Sequence, residues 1–154
     1  MLNRYQDVFG CLNSHGVRYV VIGGIAAVIH GVPRATFDLD MLIDATVVNA
    51  KDLLAAFEEA NLGTALLTTP EEVISQEKTI FRDRLRIDVQ TSTPGADFEH
   101  AWKNRETLTY CGTPIEVIGL NDLIATKRAA GRDVDLADVA VLEHRLDSRE
   151  THEE

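Results

Sequence analysis

Two aspartates separated by a single leucine, Asp38-Leu39-Asp40, follow a pair of glycines, Gly23-Gly24, within the run VVIGGIAAVIHGVPRATFDLDMLID. In a strand successive side chains alternate, so Asp38 and Asp40 project from one face while Leu39, Met41 and Ile43 take the other. Strands disfavour aspartate, and two on one face repel unless a cation lies between them. A hard divalent ion such as Mg2+ fits that role, because it takes oxygen ligands and keeps positions open for water and substrate phosphates. The glycines suggest where such phosphates would lie. Val20-Val21-Ile22 is an apolar, β-branched run stopped by Gly23-Gly24, which predicts a buried strand, a tight turn and a helix from Ile25 to His30. Glycine lets a ligand approach the backbone, and the free N–H groups and dipole of a first helical turn attract an anion. Taken alone, the glycine pair is also satisfied by a plain tight turn.

A third carboxylate lies farther along. In Arg84-Leu85-Arg86-Ile87-Asp88-Val89-Gln90, alternation puts Leu85, Ile87 and Val89 on an apolar face and Arg84, Arg86, Asp88 and Gln90 on the other. If this strand pairs beside the one carrying Asp38 and Asp40, the three carboxylates can hold two metal ions, one activating an attacking oxygen and one steadying a triphosphate. The alternative is an ion pair of Asp88 with Arg86 or Arg82. Arg82, Arg84 and Arg86 together could form one positive patch or a solvated face.

The elements that must position these residues alternate along the chain. A helix over about 2–14 precedes a strand at 17–22, a helix at 24–31 ended by Gly31-Val32-Pro33, and a strand at 36–43. An amphipathic helix follows from Asn49 to Asn61, with Leu53, Leu54 and Phe57 inward. Thr69-Pro70-Glu71-Glu72 opens a short helix, since threonine caps and proline and acids suit the first turn. Strands near 78–82 and 84–91, a helix over 96–104 and a hairpin of 106–110 with 114–117 lead to helices at about 121–130 and 134–146. The expectation is a single domain over 1–147, with a core at about 17–118 and C-terminal helices at about 121–146, and a frayed polar tail over 148–154.

Composition narrows the class. With 45% hydrophobic and 26% charged residues the chain reads as an ordinary soluble globular domain. No apolar stretch is long enough to span a bilayer, and the start of the chain lacks the apolar core of a signal peptide. Cys11 and Cys111 are isolated, without zinc-type spacing, so a reduced, cytoplasmic setting is the expectation. A net charge of −10 argues against nonspecific nucleic-acid binding. His15 and His30 read as exposed or structural.

Gly23-Gly24, the intervening helix, Asp38-x-Asp40 and the later strand aspartate Asp88 resemble the signature of the nucleotidyltransferase superfamily with the polymerase-β-like fold. The phrase GGIAAVIHGVPRATFDLDMLID is similar almost throughout to its small bacterial members, the minimal nucleotidyltransferases and abortive-infection type toxins, including Arg34 and Thr36. Leu123 to Arg132 followed by Asp135-Leu136-Ala137-Asp138-Val139 is similar to that group's C-terminal helical segment. The resemblance covers about residues 17–142. It implies an α/β (α+β) fold, a mixed β-sheet flanked by helices with a small helical C-terminal part. It also implies a Mg2+-dependent transfer of a nucleoside monophosphate from NTP to an acceptor hydroxyl, with two metal ions. Gly23, Gly24, Arg34 and Thr36 would then serve nucleotide binding, and Asp38, Asp40 and Asp88 the metals. Lys127 would contact the triphosphate, with Asp135 or Asp138 orienting it or the acceptor. Read without the resemblance, Lys127 is a helical lysine snorkelling beside Leu123 and Ile124, and Asp135 complements a helix N-terminus. Asp88 is the best candidate to accept the acceptor's proton. Three acceptors stay open: RNA such as a tRNA end, for a toxin of a toxin–antitoxin pair; a partner protein's hydroxyl, for an antitoxin; and a small molecule such as an antibiotic. A catalytically inactive relative that binds nucleotide or a partner is the non-enzymatic alternative.

Overall fold

The computed structural model describes residues 1–153. A 3-10 turn over Leu2–Tyr5 leads into α1 (Gln6–Ser14), then β1 (Tyr19–Ile22), α2 (Gly23–Ile29), β2 (Leu39–Ile43) and α3 (Val47–Glu59). A second 3-10 turn, Gly63–Leu67, precedes α4 (Pro70–Ser75) and the hairpin of β3 (Lys78–Arg82) and β4 (Arg86–Gln90). The rest is α5 (Phe98–Lys103), the hairpin of β5 (Glu106–Tyr110) and β6 (Thr113–Val117), α6 (Leu120–Ala130) and α7 (Asp133–Glu153).

The six strands form one mixed sheet in the order β3-β4-β2-β1-β6-β5. At its centre β1 runs antiparallel to β2, and β2 runs parallel to β4. This is the mixed sheet flanked by helices that the sequence implied. β1 is buried along its whole length, as its uniformly apolar sequence requires. On one face α1 stacks Phe9 on Tyr19 and α3 sets Phe57 edge-on to Phe81. On the other face α2 follows β1 without a linker. Caps fix several helix starts: Thr46 accepts from the Asn49 amide, Thr69 from that of Glu72 and Asp97 from that of His100. The β5–β6 turn places Cys111 and Gly112 at φ 48° and 80°, the geometry of a two-residue hairpin turn. Among the described residues no helix is long and apolar enough to cross a membrane.

Three expectations are corrected. The second strand begins at Leu39 rather than near Thr36, so Asp38 stands just before the ladder. There the Tyr5 hydroxyl hydrogen-bonds to the carbonyls of Phe37 and Arg86, occupying acceptors at the strand ends. The polar tail is instead helix through Glu153, with residue 154 outside the described residues. Its far half is held by an ion pair of Arg149 with Glu106 at 3.3 Å, and Ser148 and Thr151 bond back to the helix's own carbonyls. Nor do Arg82, Arg84 and Arg86 form one patch, because Arg84 turns to Asp7 at 2.6 Å and to the Ala60 carbonyl at 2.8 Å.

Candidate functional site

Parallel pairing of β2 with β4 makes Asp40 and Asp88 register partners. Both line a cleft of about 360 Å³ together with Asp38, Gly23, Lys127, Asp135 and three further cations, Lys78, Arg86 and Arg132. Asp88 is buried, yet Arg86 reaches it through Nε at 3.1 Å and Nη2 at 3.4 Å, and Lys78 Nζ lies 3.9 Å away. Asp38 sits at the mouth with its side chain 55% exposed, its nearest cation being Arg86 at 3.9 Å. Burial, and then the negative charge of Asp88, push the Asp40 carboxyl up to about 6, although Lys78 pulls the other way. The cleft therefore holds a carboxylate whose charge is incompletely compensated.

Gly23 is fitted to this carboxylate. Its φ of +68° lies in the left-handed region, and a Cβ there would stand 2.6 Å from Asp40 Oδ2. Only glycine lets β1 turn into α2 while Asp40 keeps its place. Gly24 does a different job: a Cβ would meet Thr36 Oγ1 at 2.9 Å and an Arg34 terminal nitrogen at 3.3 Å. It thus gives room to the segment that carries Arg34 and Thr36. Gly24, Arg34, Thr36 and Asp138 stand behind the cleft wall rather than in its lining.

Lys127 projects from α6 into the start of α7. Its buried ammonium lies 3.3 Å from Asp135 and 3.0 Å from Asp138. Arg34 clamps Asp138 with two bonds of 3.2 and 2.8 Å, while Arg132 Nε binds Asp135 at 2.7 Å. Burial alone would raise both carboxyls, but these hydrogen bonds outweigh it and hold them below the usual carboxylate range. Counting charges gives three cations against two carboxylates, a local excess of one positive charge. Asp135 and Asp138 orient Lys127 from α7, and Gly131 in the left-handed conformation makes the corner between the two helices.

The donor set fits a hard cation in kind, since it presents carboxylate oxygens and neither sulfur nor imidazole. In arrangement it fits two ligands closely and a third at the rim. Among the described residues no group of three or more His, Cys, Asp or Glu side chains is gathered as a metal cage. Arg86, Lys78 and Arg132 were not singled out as site residues from sequence. Alternation did place Arg86 beside Asp88, whereas Lys78 reaches the cleft only through the register of β3 on β4. A larger cleft of about 580 Å³ between the end of α2 and the far half of α7 is lined by His30, Arg145, Arg149 and His152, without a carboxylate pair.

Comparison with known proteins fits this geometry. A family model described as nucleotidyltransferase of unknown function (DUF6036) matches residues 7–148. The fold is similar to that of a Thermotoga maritima protein whose crystal structure was described as that of a suspected nucleotidyltransferase. The TM-score is 0.55 at 16% identity, over 96% of this chain and 92% of that one. No curated protein matches the chain.

Proposed function

Because the chain belongs to this family of nucleotidyltransferases of unknown function, we propose that it transfers a nucleoside monophosphate from an NTP to an acceptor hydroxyl in a Mg2+-dependent reaction. The observation that carries this reading is the placing of Asp40 and Asp88 in register within one cleft, with Gly23 on one side and the Lys127 network on the other.

Asp40 and Asp88 would hold the metal, with Asp38 joining from the mouth, in a site for up to two ions. Bound Mg2+ would offset triphosphate charge and stabilise the leaving pyrophosphate. The chain's own groups do the rest by positioning and by moving one proton. The acceptor oxygen attacks the α-phosphorus in line and its proton passes to the Asp88 carboxylate. The bond from the α-phosphorus to the bridging oxygen breaks, and pyrophosphate departs. Arg132, with its side chain 72% exposed at the cleft edge, and Lys127 behind it supply positive charge to the triphosphate. Gly23 lets the phosphates approach the backbone, while Gly24, Arg34 and Thr36 shape the wall on that side.

We assign the acceptor to a macromolecule, an RNA end or a partner protein's hydroxyl in a cytoplasmic toxin–antitoxin pair. The support is the resemblance of the motif blocks to small bacterial toxins. The test of the core reading is calorimetric titration of nonhydrolysable NTP analogues, with and without Mg2+, on wild type and the Asp38→Ala/Asp40→Ala double variant. Mg2+-dependent binding by wild type that the variant lacks supports the site. Absence of nucleotide binding by wild type overturns it in favour of a partner-binding relative.

A further inference from the structure

Arg86 touches the same carboxylates that the proposed metal would use. Its guanidinium meets Asp88 through two nitrogens at 3.1 and 3.4 Å and approaches Asp38 at 3.9 Å. We infer that Arg86 is a built-in counter-cation for the acidic cluster in the metal-free protein, and that a divalent ion releases it to bind the triphosphate. This rests on the reading of the cleft as a nucleotidyltransferase site.

Three observations lead there. First, the cluster is short of positive charge, since Arg86 reaches Asp88 closely and Asp38 weakly, and Lys78 only approaches Asp88 at 3.9 Å. A monovalent guanidinium and a divalent ion a few ångströms apart repel, so entry of the ion weakens the Arg86 contact. Second, Arg86 is reached from solvent. Its side chain is 36% exposed over the open cleft, so the guanidinium can turn from Asp88 to an entering anion without first being drawn out of a buried site. Arg84, two residues earlier, points away from the cleft, to Asp7 and the Ala60 carbonyl. Third, a freed Arg86 stays anchored on β4 in the cleft wall that Lys78 and Arg132 also line. Triphosphate oxygens entering that space meet a planar fork suited to bidentate phosphate contacts, which lysine cannot make. Arg86 thereby couples the two ligands: the metal displaces it from the acids, and the nucleotide accepts it.

The experiment compares wild type, Arg86→Met and Arg84→Met, which removes the same charge from the same hairpin outside the site. Thermal unfolding verifies that each folds, and Mn2+ binding is followed by electron paramagnetic resonance without nucleotide. A nonhydrolysable ATP analogue is then titrated by calorimetry at saturating Mn2+. Loss of a competing cation tightens Mn2+ binding by Arg86→Met about three- to tenfold, while nucleotide binding weakens about tenfold, the size of one charge-assisted contact. Arg84→Met matches wild type in both. Unchanged or weaker Mn2+ binding by Arg86→Met overturns the counter-cation role, and unchanged nucleotide binding overturns the phosphate contact. Failure of wild type itself to bind Mn2+ overturns the nucleotidyltransferase reading and this inference with it.

Discussion

Asp40 and Asp88 face each other across two parallel strands in direct register, about one strand spacing apart. Since the Asp40 carboxyl is raised to about 6, the folded metal-free protein holds a proton there more tightly than the unfolded chain does. Stability from this group is therefore full below about pH 4 and is lost as pH rises through 6. Asp40→Asn removes that penalty and stabilises the metal-free protein at pH 7.5 by about 2–3 kcal/mol. Urea unfolding from pH 4.5 to 7.5 measures it: wild type slopes downward, the variant stays flatter, and Mg2+ raises the wild-type midpoint most at the alkaline end. A wild-type curve rising through that range would contradict the assignment.

Asp135 and Asp138 act in the opposite direction. Their carboxyls lie below the unfolded range, so their stabilisation is present above about pH 4 and is lost as pH falls through the folded values. Acid unfolding of Asp138→Asn is expected to lose part of the wild-type pH dependence below pH 4. Removal of their shared cation by Lys127→Met leaves two buried carboxylates with one arginine each and costs about 2–4 kcal/mol.

Gly23→Ala forces a Cβ to within 2.6 Å of Asp40 Oδ2 at a φ of +68°. The backbone conformation alone costs about 1–2 kcal/mol. Displacement of Asp40 adds a loss of divalent affinity, read by Mn2+ titration. Gly24→Ala, with ordinary φ and the Thr36 hydroxyl as its closest neighbour at 2.9 Å, is expected to be milder in both measurements.

Tyr5→Phe keeps a buried ring and deletes the hydroxyl that meets the carbonyls of Phe37 and Arg86. The loss is expected to be about 1–2 kcal/mol in chemical denaturation. Faster amide exchange in β2 and β4 than in β5 and β6 locates the effect at the acidic pair.

Asp88→Asn tests the proton acceptor. Turnover at saturating Mg2+ and NTP is expected to fall at least about 100-fold, the usual contribution of a positioned base. Normal turnover would remove Asp88 from that role.

Much of the site was legible because its signals are local. The β-branched run before Gly23 marks a strand ending in a turn, and period-two alternation puts Arg86 and Asp88 on one face. The pairing of their strand with β2, posed from sequence as a condition, is present in the fold. What could not be read depends on distant contacts. Asp38 falls outside the strand at a place where the Tyr5 hydroxyl meets the Phe37 carbonyl across 32 positions of sequence. The far half of α7 carries little apolar periodicity, and its hold on Glu106 of β5 is a tertiary ion pair invisible to pattern. Lys78 enters the cleft only by virtue of the hairpin register.

The sheet order has a consequence for how the molecule is made. Asp40 and Asp88 lie on neighbouring strands but are separated by α3, α4 and β3 in the chain. Their meeting is a long-range closure, the kind of contact that forms slowly during folding. A nascent chain that has emerged only as far as α3 carries Gly23, Asp38 and Asp40 but neither Asp88 nor Lys127. At that stage the cleft has only part of its lining, which is complete once the β3–β4 hairpin and the last two helices are in place.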